Sequence, residues 1–342
     1  MITKRISGAA LAAALVFSGA SVAKAETAAE FYKDKTLKIV FGFGVGGTYG
    51  KYSQILAQYL APYLGAKKII TQSMPGAGGL KATNFVYNVG SKDGLTLFMP
   101  PDTIVISELL RPKAVKYKSN GFTWLGTAVQ SNSVIGIRGD AGITKIDDLK
   151  GKEVIMGSTG QGSQTFLMPK LVNGVYGSKF KIVSGYKGSR KVQLAIEQGE
   201  VQGLSVTWLS WKSAHEDWFK SGFAKALIQI GVEKEADLPN VPMLADLVSG
   251  EDRKIVNFMA TMGPIGRGLA VPPGVPADRI AFLRTAFEKA VADPNFVVNA
   301  EKRKLRVKSA TGPVLQTIVK DSLDVPEKTL ERARSIIFGK SS

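Results

Sequence analysis

Between Lys35 and Lys92 the chain carries several lysines and two glycine clusters but no aspartate or glutamate. An apolar run, Leu37, Ile39, Val40 and Phe41, passes directly into Gly42-Phe43-Gly44-Val45-Gly46-Gly47-Thr48, the pattern of a strand feeding a tight turn. Behind the turn Tyr52, Ile55, Leu56, Tyr59, Leu60, Tyr63 and Leu64 recur at three- and four-residue steps, the apolar stripe of a helix. The turn therefore sits at a helix N-terminus. Unpaired N–H groups and aligned peptide dipoles there stabilise a carboxylate or phosphate without any charged side chain. Glycines are also what a sharp reversal needs, so the turn alone leaves both anion binding and simple chain reversal open.

Residues 1–25 read as a secretory signal: Lys4 and Arg5, an apolar core from Ile6 to Phe17, then Ala23-Lys24-Ala25 at the cleavage positions. The core is short for a membrane span, and no later segment has a long uninterrupted apolar run, so a soluble exported protein is expected. Loss of Lys4, Arg5 and Lys24 takes the formal charge from +17 to +14. The lysines are scattered rather than bunched, which argues against nucleic acid and for a solvated basic face or mild steering of anions. The absence of cysteine excludes disulfides, thiolate metal sites and cysteine nucleophiles. His215 is the single histidine and lies in an aromatic helical pattern with no second histidine to share a metal. It reads as a packed or helix-surface residue, and no cofactor or metal is expected.

Further along, Ile69 to Thr71 reads as a strand, Pro75-Gly76-Ala77-Gly78-Gly79 as a second glycine turn, and Leu95 to Met99 as the next strand. Strands alternating with helices predict an α/β domain with a largely parallel sheet, whose ligands sit beyond the carboxyl ends of the strands. A second unit opens with a strand at Glu153 to Met156 and the turn Gly157-Ser158-Thr159-Gly160-Gln161-Gly162-Ser163-Gln164-Thr165 ahead of a helix. Two such turns, one per domain, would face each other like jaws. Strands are also expected at Val201 to Thr207, Ala226 to Ile230 and Gly266 to Val271, and an amphipathic helix at Arg279 to Ala292.

Gly42, Gly44 and Gly47 have the spacing of a dinucleotide fingerprint, but the acid that should follow about twenty residues on is missing. Gly50-Lys51 resembles the end of a phosphate loop, yet Val45 and Tyr52 replace its glycine and hydroxyl. No Gly-x-Ser-x-Gly elbow is present. Trp208, Trp211 and Trp218 fall at helical spacing and read as core, with Trp208 near enough to a strand end to reach a cleft.

The Gly46-Gly47 turn, Pro75-Gly76-Ala77-Gly78-Gly79, Asp93-Gly94-Leu95-Thr96-Leu97, Gly157-Ser158-Thr159-Gly160-Gln161-Gly162-Ser163, Tyr186-Lys187-Gly188-Ser189, Leu238-Pro239-Asn240-Val241-Pro242 and Val271-Pro272-Pro273-Gly274-Val275-Pro276 occur in a telling order and spacing. Through them the chain resembles Bug-type solute receptors, the periplasmic component of tripartite tricarboxylate transporters, over nearly the whole mature length. The resemblance implies a two-lobed α/β receptor of the type 2 periplasmic binding fold with two chain crossings. Residues 26–128 with 235–342 would form lobe 1 and 129–234 lobe 2. Such a receptor is not an enzyme. It closes as a monomer on a small organic acid and delivers it to membrane permease subunits. Carried over by position, Gly47, Thr48 and Tyr49 form one jaw, Ser158, Thr159, Gln161 and Ser163 the other, and Tyr186 stands at the side. Arg190 is added beside it on physical grounds, as charge partner for a second acidic group.

The chain departs from the family pattern where acids are common: the first turn continues Tyr49-Gly50-Lys51, and the later strand reads Gln202, then Val206-Thr207-Trp208. Without acids in the cleft, the expected ligand is an amine-free carboxylate, with dicarboxylates and aromatic carboxylates as candidates. Thr207 and Trp208 join the expected site, and Tyr49 and Trp208 would be its flat walls. Two rival readings stay open: an α/β enzyme holding a nicotinamide cofactor on the Gly42 to Gly47 turn, and a ligand-sensing partner of a signalling kinase.

Overall fold

The computed structural model describes residues 26–339, and the expected signal at 1–25 lies outside the described residues. Among the described residues eleven strands, numbered along the chain, form two sheets. Strands β1 (Thr36–Phe41), β2 (Lys68–Ser73), β3 (Thr96–Met99), β4 (Thr123–Thr127), β10 (Gly268–Val271) and β11 (Ala310–Thr311) make the first, in the order β11-β4-β10-β3-β1-β2. Strands β5 (Ser133–Arg138), β6 (Glu153–Ser158), β7 (Lys179–Ser184), β8 (Gly203–Thr207) and β9 (Ala224–Ile230) make the second, in the order β7-β6-β8-β5-β9.

The alternation of each strand sends successive side chains to opposite faces. In β1, Leu37, Ile39 and Phe41 join Tyr52, Ile55, Leu56, Leu60 and Leu64 of the helix Thr48–Leu64 in one core cluster. Val40 turns the other way, into a cluster with Phe98, Trp124 and Leu80. The second sheet divides likewise: Ile135, Ile137, Val154 and Met156 pack with Leu167 and Leu171 of the helix Gln164–Tyr176. Val134, Leu204 and Val206 pack with Trp208, Trp211 and Trp218 of the helix Trp208–Ser221. The three tryptophans are core, as their spacing predicts.

Both sheets are mixed rather than largely parallel. β1 runs parallel to β2 and β3, and β6 to β7 and β8, but β10 is antiparallel to β3 and β4, and β5 is antiparallel to β8 and β9. β10 and β5 each enter their sheet after the chain has passed from the other one, and β11 is antiparallel to β4. Parallel register is what builds the site: Phe41 pairs with Met99 and with Ser73, and Ser158 with Ser184. The turns that follow these strand ends are thereby brought to one level.

Helix packing departs from the expected lobe division. Ile106 and Leu110 of the helix Ile104–Leu110, Ile255 and Met259 of Gly250–Ala260, and Leu330, Ala333 and Ile337 of Glu327–Phe338 all belong to the core of the second sheet. Parts of 26–128 and 235–342 thus cover the second sheet, where these helices share in burying the apolar face left by the sheet and the helix Gln164–Tyr176. Among the described residues no helix is long and apolar enough to cross a membrane.

Candidate ligand-binding cleft

The first turn joins β1 to the helix Thr48–Leu64, whose N-cap, Gly47, makes no side-chain hydrogen bond. Two helices of the second lobe begin in the same way, Gln164–Tyr176 after Ser163 and Ser189–Glu197 after Gly188. Residues at all three starts, Gly47 and Thr48, Ser163 and Gln164, and Ser189, line one cavity between the lobes. The starts of three helices, where first-turn N–H groups and positive dipole ends lie, thus border one cavity. Hydroxyls of Thr48, Thr159, Ser163, Thr165 and Ser210 supply further donors, and Phe43, Tyr49 and Val206 supply apolar wall.

At the base of the cavity lies a buried ion pair that the sequence did not reveal. Arg267, 2% exposed, donates through Nη1 to Asp102 Oδ2 at 3.0 Å and to the Gly266 carbonyl at 3.1 Å. Its Nε and Nη2 donate to Thr48 Oγ1 at 3.2 and 2.9 Å, and Nη2 also to Thr207 Oγ1 at 3.2 Å. The guanidinium carbon stands 4.0 Å from the centre of the Tyr49 ring, a cation–π stack, and Tyr49 in turn packs on Phe43 at 4.4 Å. The Tyr49 hydroxyl accepts from the Asp102 backbone N–H at 2.8 Å.

Burial pushes the Tyr49 phenol far above its usual range, with the Asp102 charge adding to the effect. Burial also raises the Asp102 carboxyl, against the pull of Arg267. For Arg267 burial works against the charge, but Tyr49 and Asp102 outweigh it and hold the guanidinium protonated.

The lobes are shut. Thr48 Oγ1 and Ser210 Oγ meet at 2.9 Å, Lys51 Nζ donates to the Ser213 carbonyl at 3.0 Å, and Gly44 N–H donates to the Lys187 carbonyl at 3.1 Å. Thr103 Oγ1 donates to the Gly162 carbonyl at 2.6 Å, and Gln164 Nε2 to Asp102 Oδ2 at 2.9 Å. The enclosed volume is about 30 Å³, enough for water but not for a dicarboxylate. The second glycine cluster mates with the glycine turn of lobe 2. A Cβ on Gly162 would stand 2.6 Å from the Ala77 carbonyl oxygen, and one on Gly78 2.5 Å from the Ser163 nitrogen. These glycines allow one backbone to lie on another. Within lobe 1, Gly42 likewise lies against Gly79, 2.6 Å from a built Cβ to its Cα.

Of the residues expected from sequence, Gly47, Thr48, Tyr49, Thr159 and Ser163 line the cavity. Thr207 stands behind them, bonded to Arg267 and, at 2.8 Å, to Ser210. Ser158 is fully buried under the turn, sharing its hydroxyl with Thr165 at 3.1 Å.

The others do not join the cavity. Gln161 is exposed and accepts from Arg111 at 3.1 Å, outside the cleft. Tyr186 packs half-buried against the tryptophan cluster, near Glu200. Arg190 is exposed, sits 2.5 Å from His215 Nε2, and lines an outer recess of about 350 Å³ with Val45, Lys187, Lys191, Leu194 and Glu197. Trp208 faces the opposite side, its Nε1 donating to Asp237 at 3.2 Å, so it is not a cleft wall.

The expectation of an acid-free cleft also fails, since Asp102 enters it from the loop after β3. Sequence reasoning passed over Asp102, which follows Pro100-Pro101, and Arg267, the one charge in Gly266-Arg267-Gly268-Leu269-Ala270-Val271. A lone charge at the mouth of an apolar strand is the signal that would have found Arg267.

A family model described as "Tripartite tricarboxylate transporter family receptor" matches residues 53–332. Among curated proteins, the "UPF0065 protein in gbd 5'region" of Cupriavidus necator is 25% identical over 299 residues, 85% of each chain. Among solved structures, MatC from Rhodopseudomonas palustris with bound malate aligns with a TM-score of 0.67 at 18% identity, covering 87% of this chain and 99% of that one. The R. palustris protein Rpa4515 with adipate gives 0.68 at 17%, covering 87% and 97%. These likenesses establish the two-lobed type 2 periplasmic binding fold, and with most of its length matched by the family model the chain belongs to the tripartite tricarboxylate transporter family of receptors.

Proposed function

We propose that this protein is a periplasmic receptor that captures a small organic carboxylate by closure of its two lobes and hands it to the membrane permease subunits of a tripartite tricarboxylate-type transporter, with no chemistry on the ligand. The observation that carries this reading is the convergence of three helix starts, none with a side-chain cap, from both lobes on one enclosed cavity above Arg267. That arrangement concentrates positive potential where a carboxylate would sit. Lys51, Lys187, Arg190 and Lys191 surround the approach and favour the arrival of an anion. Relatives of the same fold hold malate and adipate. The lining is rich in hydroxyls and backbone amides, suited to holding an anion rather than to moving protons.

The test is a thermal-shift and calorimetric screen of the protein lacking residues 1–25 against mono- and dicarboxylates, aromatic carboxylates and nicotinamide cofactors. Dose-dependent stabilisation by carboxylates is expected, as for any ligand that binds only the folded state. A shift with a nicotinamide cofactor alone would return the enzyme reading to the front. Delivery to a permease is checked by uptake of the identified acid in cells with and without the permease genes. Uptake that survives permease loss would remove the transport half of the proposal.

A further inference from the structure

The helix Ser189–Glu197 buries Val192, Ala195 and Ile196 in a core cluster with Leu204 and Val206. Its other face leaves Lys191, Leu194 and Glu197 exposed. Leu194 is 43% exposed, and Val45 in the first turn is 57% exposed. These two apolar side chains, one from each lobe, line the same outer recess of about 350 Å³.

The first turn supplies one wall of that recess and the segment from Lys187 to Glu197 the other. The walls touch along a backbone seam. Gly44 N–H donates to the Lys187 carbonyl at 3.1 Å, a Cβ on Gly188 would stand 3.1 Å from the Gly44 nitrogen, and one on Gly47 3.3 Å from Ser189 Oγ. Parting the lobes separates the walls, so the recess belongs to the closed protein. Lys187, Arg190 and Lys191 border it against a single acid, Glu197. Among the described residues none of the three cations is in an ion pair, and Arg190 contacts His215 instead.

We infer that this recess is the docking site for a segment of a partner protein that presents an apolar side chain flanked by carboxylates, and that the site is complete only when the lobes are shut. The inference rests on the receptor reading, in which that partner is a permease subunit. Apolar side chains combined with solvated charges are the anatomy of a protein interface, and cations without counter-charges select an acidic partner. A small-ligand site would instead converge fixed polar groups on its occupant, whereas Lys187, Arg190 and Lys191 are exposed.

The chain has no cysteine, so Leu194→Cys places a photo-crosslinker at one defined point. Val89→Cys is the control, 65% exposed at the end of the helix Leu80–Val89 that leads into β3, at the other end of the sheet from the first turn. Each labelled receptor is mixed with vesicles holding the purified permease subunits and with the tightest-binding acid of the carboxylate screen. Crosslinking to a permease subunit should be about tenfold stronger from position 194 than from 89, and about tenfold weaker without the acid. Leu194→Asp and Leu194→Lys should both bind that acid within about threefold of wild type, while uptake by cells falls about tenfold further in the aspartate variant than in the lysine variant.

Equal crosslinking from the two positions, or equal uptake by the two Leu194 variants, would overturn the inference and leave the receptor reading standing. A loss of uptake that follows a loss of acid affinity would overturn it as well, placing this face in ligand capture. So would two acids bound per wild-type chain in calorimetry with the second lost in Lys191→Glu, the result for a small-ligand site. Wild-type uptake that survives permease loss would remove the transport reading and this inference with it. Crosslinking and uptake are independent measurements, so either decides the matter where one Leu194 variant is too unstable to use.

Discussion

Arg267 and Asp102, 165 residues apart in the chain, meet at 3.0 Å in a cleft where neither side chain is more than 4% exposed. Both belong to the first-sheet side of the cleft, and lobe 2 closes on the pair through Gln164 and Thr207. Removing one partner of such a pair strands a buried charge, which costs about 3–5 kcal/mol. Arg267→Met should therefore lower the unfolding free energy by about that amount. The double variant Arg267→Met, Asp102→Leu should recover much of it. Urea denaturation of the wild type, the two single variants and the double variant checks this, and a double-variant loss equal to the sum of the two single losses would show that the charges are not coupled.

Gly162→Ala should wedge the lobes apart without unfolding either one. Gly162 has an ordinary backbone conformation, yet its added methyl would meet the Ala77 carbonyl at 2.6 Å and Leu80 Cγ at 2.8 Å across the cleft. The expected result is a larger radius of gyration in small-angle scattering and ligand affinity reduced about tenfold or more, for a closure penalty above about 1.4 kcal/mol. An unchanged radius would mean that the second glycine turn yields rather than the lobe contact.

His215 stacks on Trp218 with ring centres 3.7 Å apart. Burial, then the charge of Arg190, lowers its pKa below the usual value of 6.5, with Lys51 adding to this and Glu197 and Asp217 opposing it. The native state thus holds a neutral imidazole, while the unfolded chain takes up a proton near pH 6.5. Stability from this group is complete above that pH and is lost progressively as pH falls through 6.5 toward the depressed native value. Denaturation at about pH 7.5 and 5.5 should show an acid-side loss that His215→Gln lacks. Because the chain has one histidine, its proton resonance reports the titration directly, and a native pKa above 6.5 would refute the argument.

Arg190→Ala should leave ligand affinity within about threefold of wild type, well short of the tenfold that 1.4 kcal/mol represents. Its guanidinium is engaged with His215 on the outer side of the first turn. The association rate at low salt should fall, since a cation has left the approach. A loss of affinity beyond tenfold with no change in rate would place Arg190 on the ligand after all.

Local rules made much of this protein legible from residues alone. Period-two and 3.6-residue patterns located β1, β2, β3, β6, β8, β9, β10 and the helices Thr48–Leu64, Gln164–Tyr176 and Ala277–Ala292. Glycine turn chemistry marked the two jaws, and Gly47, Thr48, Tyr49, Thr159 and Ser163 indeed share a cavity. Which neighbour of a turn looks inward was not written locally. Gln161 and Gln164 lie three residues apart, yet one bonds Arg111 outside and the other Asp102 inside. The helix begins only at Gln164, and the approach of Gly78 to the Gly162–Ser163 backbone turns the preceding residues outward.

Trp208 was drawn away by Asp237 in the same manner. The Arg267–Asp102 pair lay beyond any periodicity: it exists because β10 enters the first sheet beside β3 after the chain has returned from the second. Sequence determined the elements, their turns and the family; the register of the sheets and the closure of the lobes decided which side chains face a ligand.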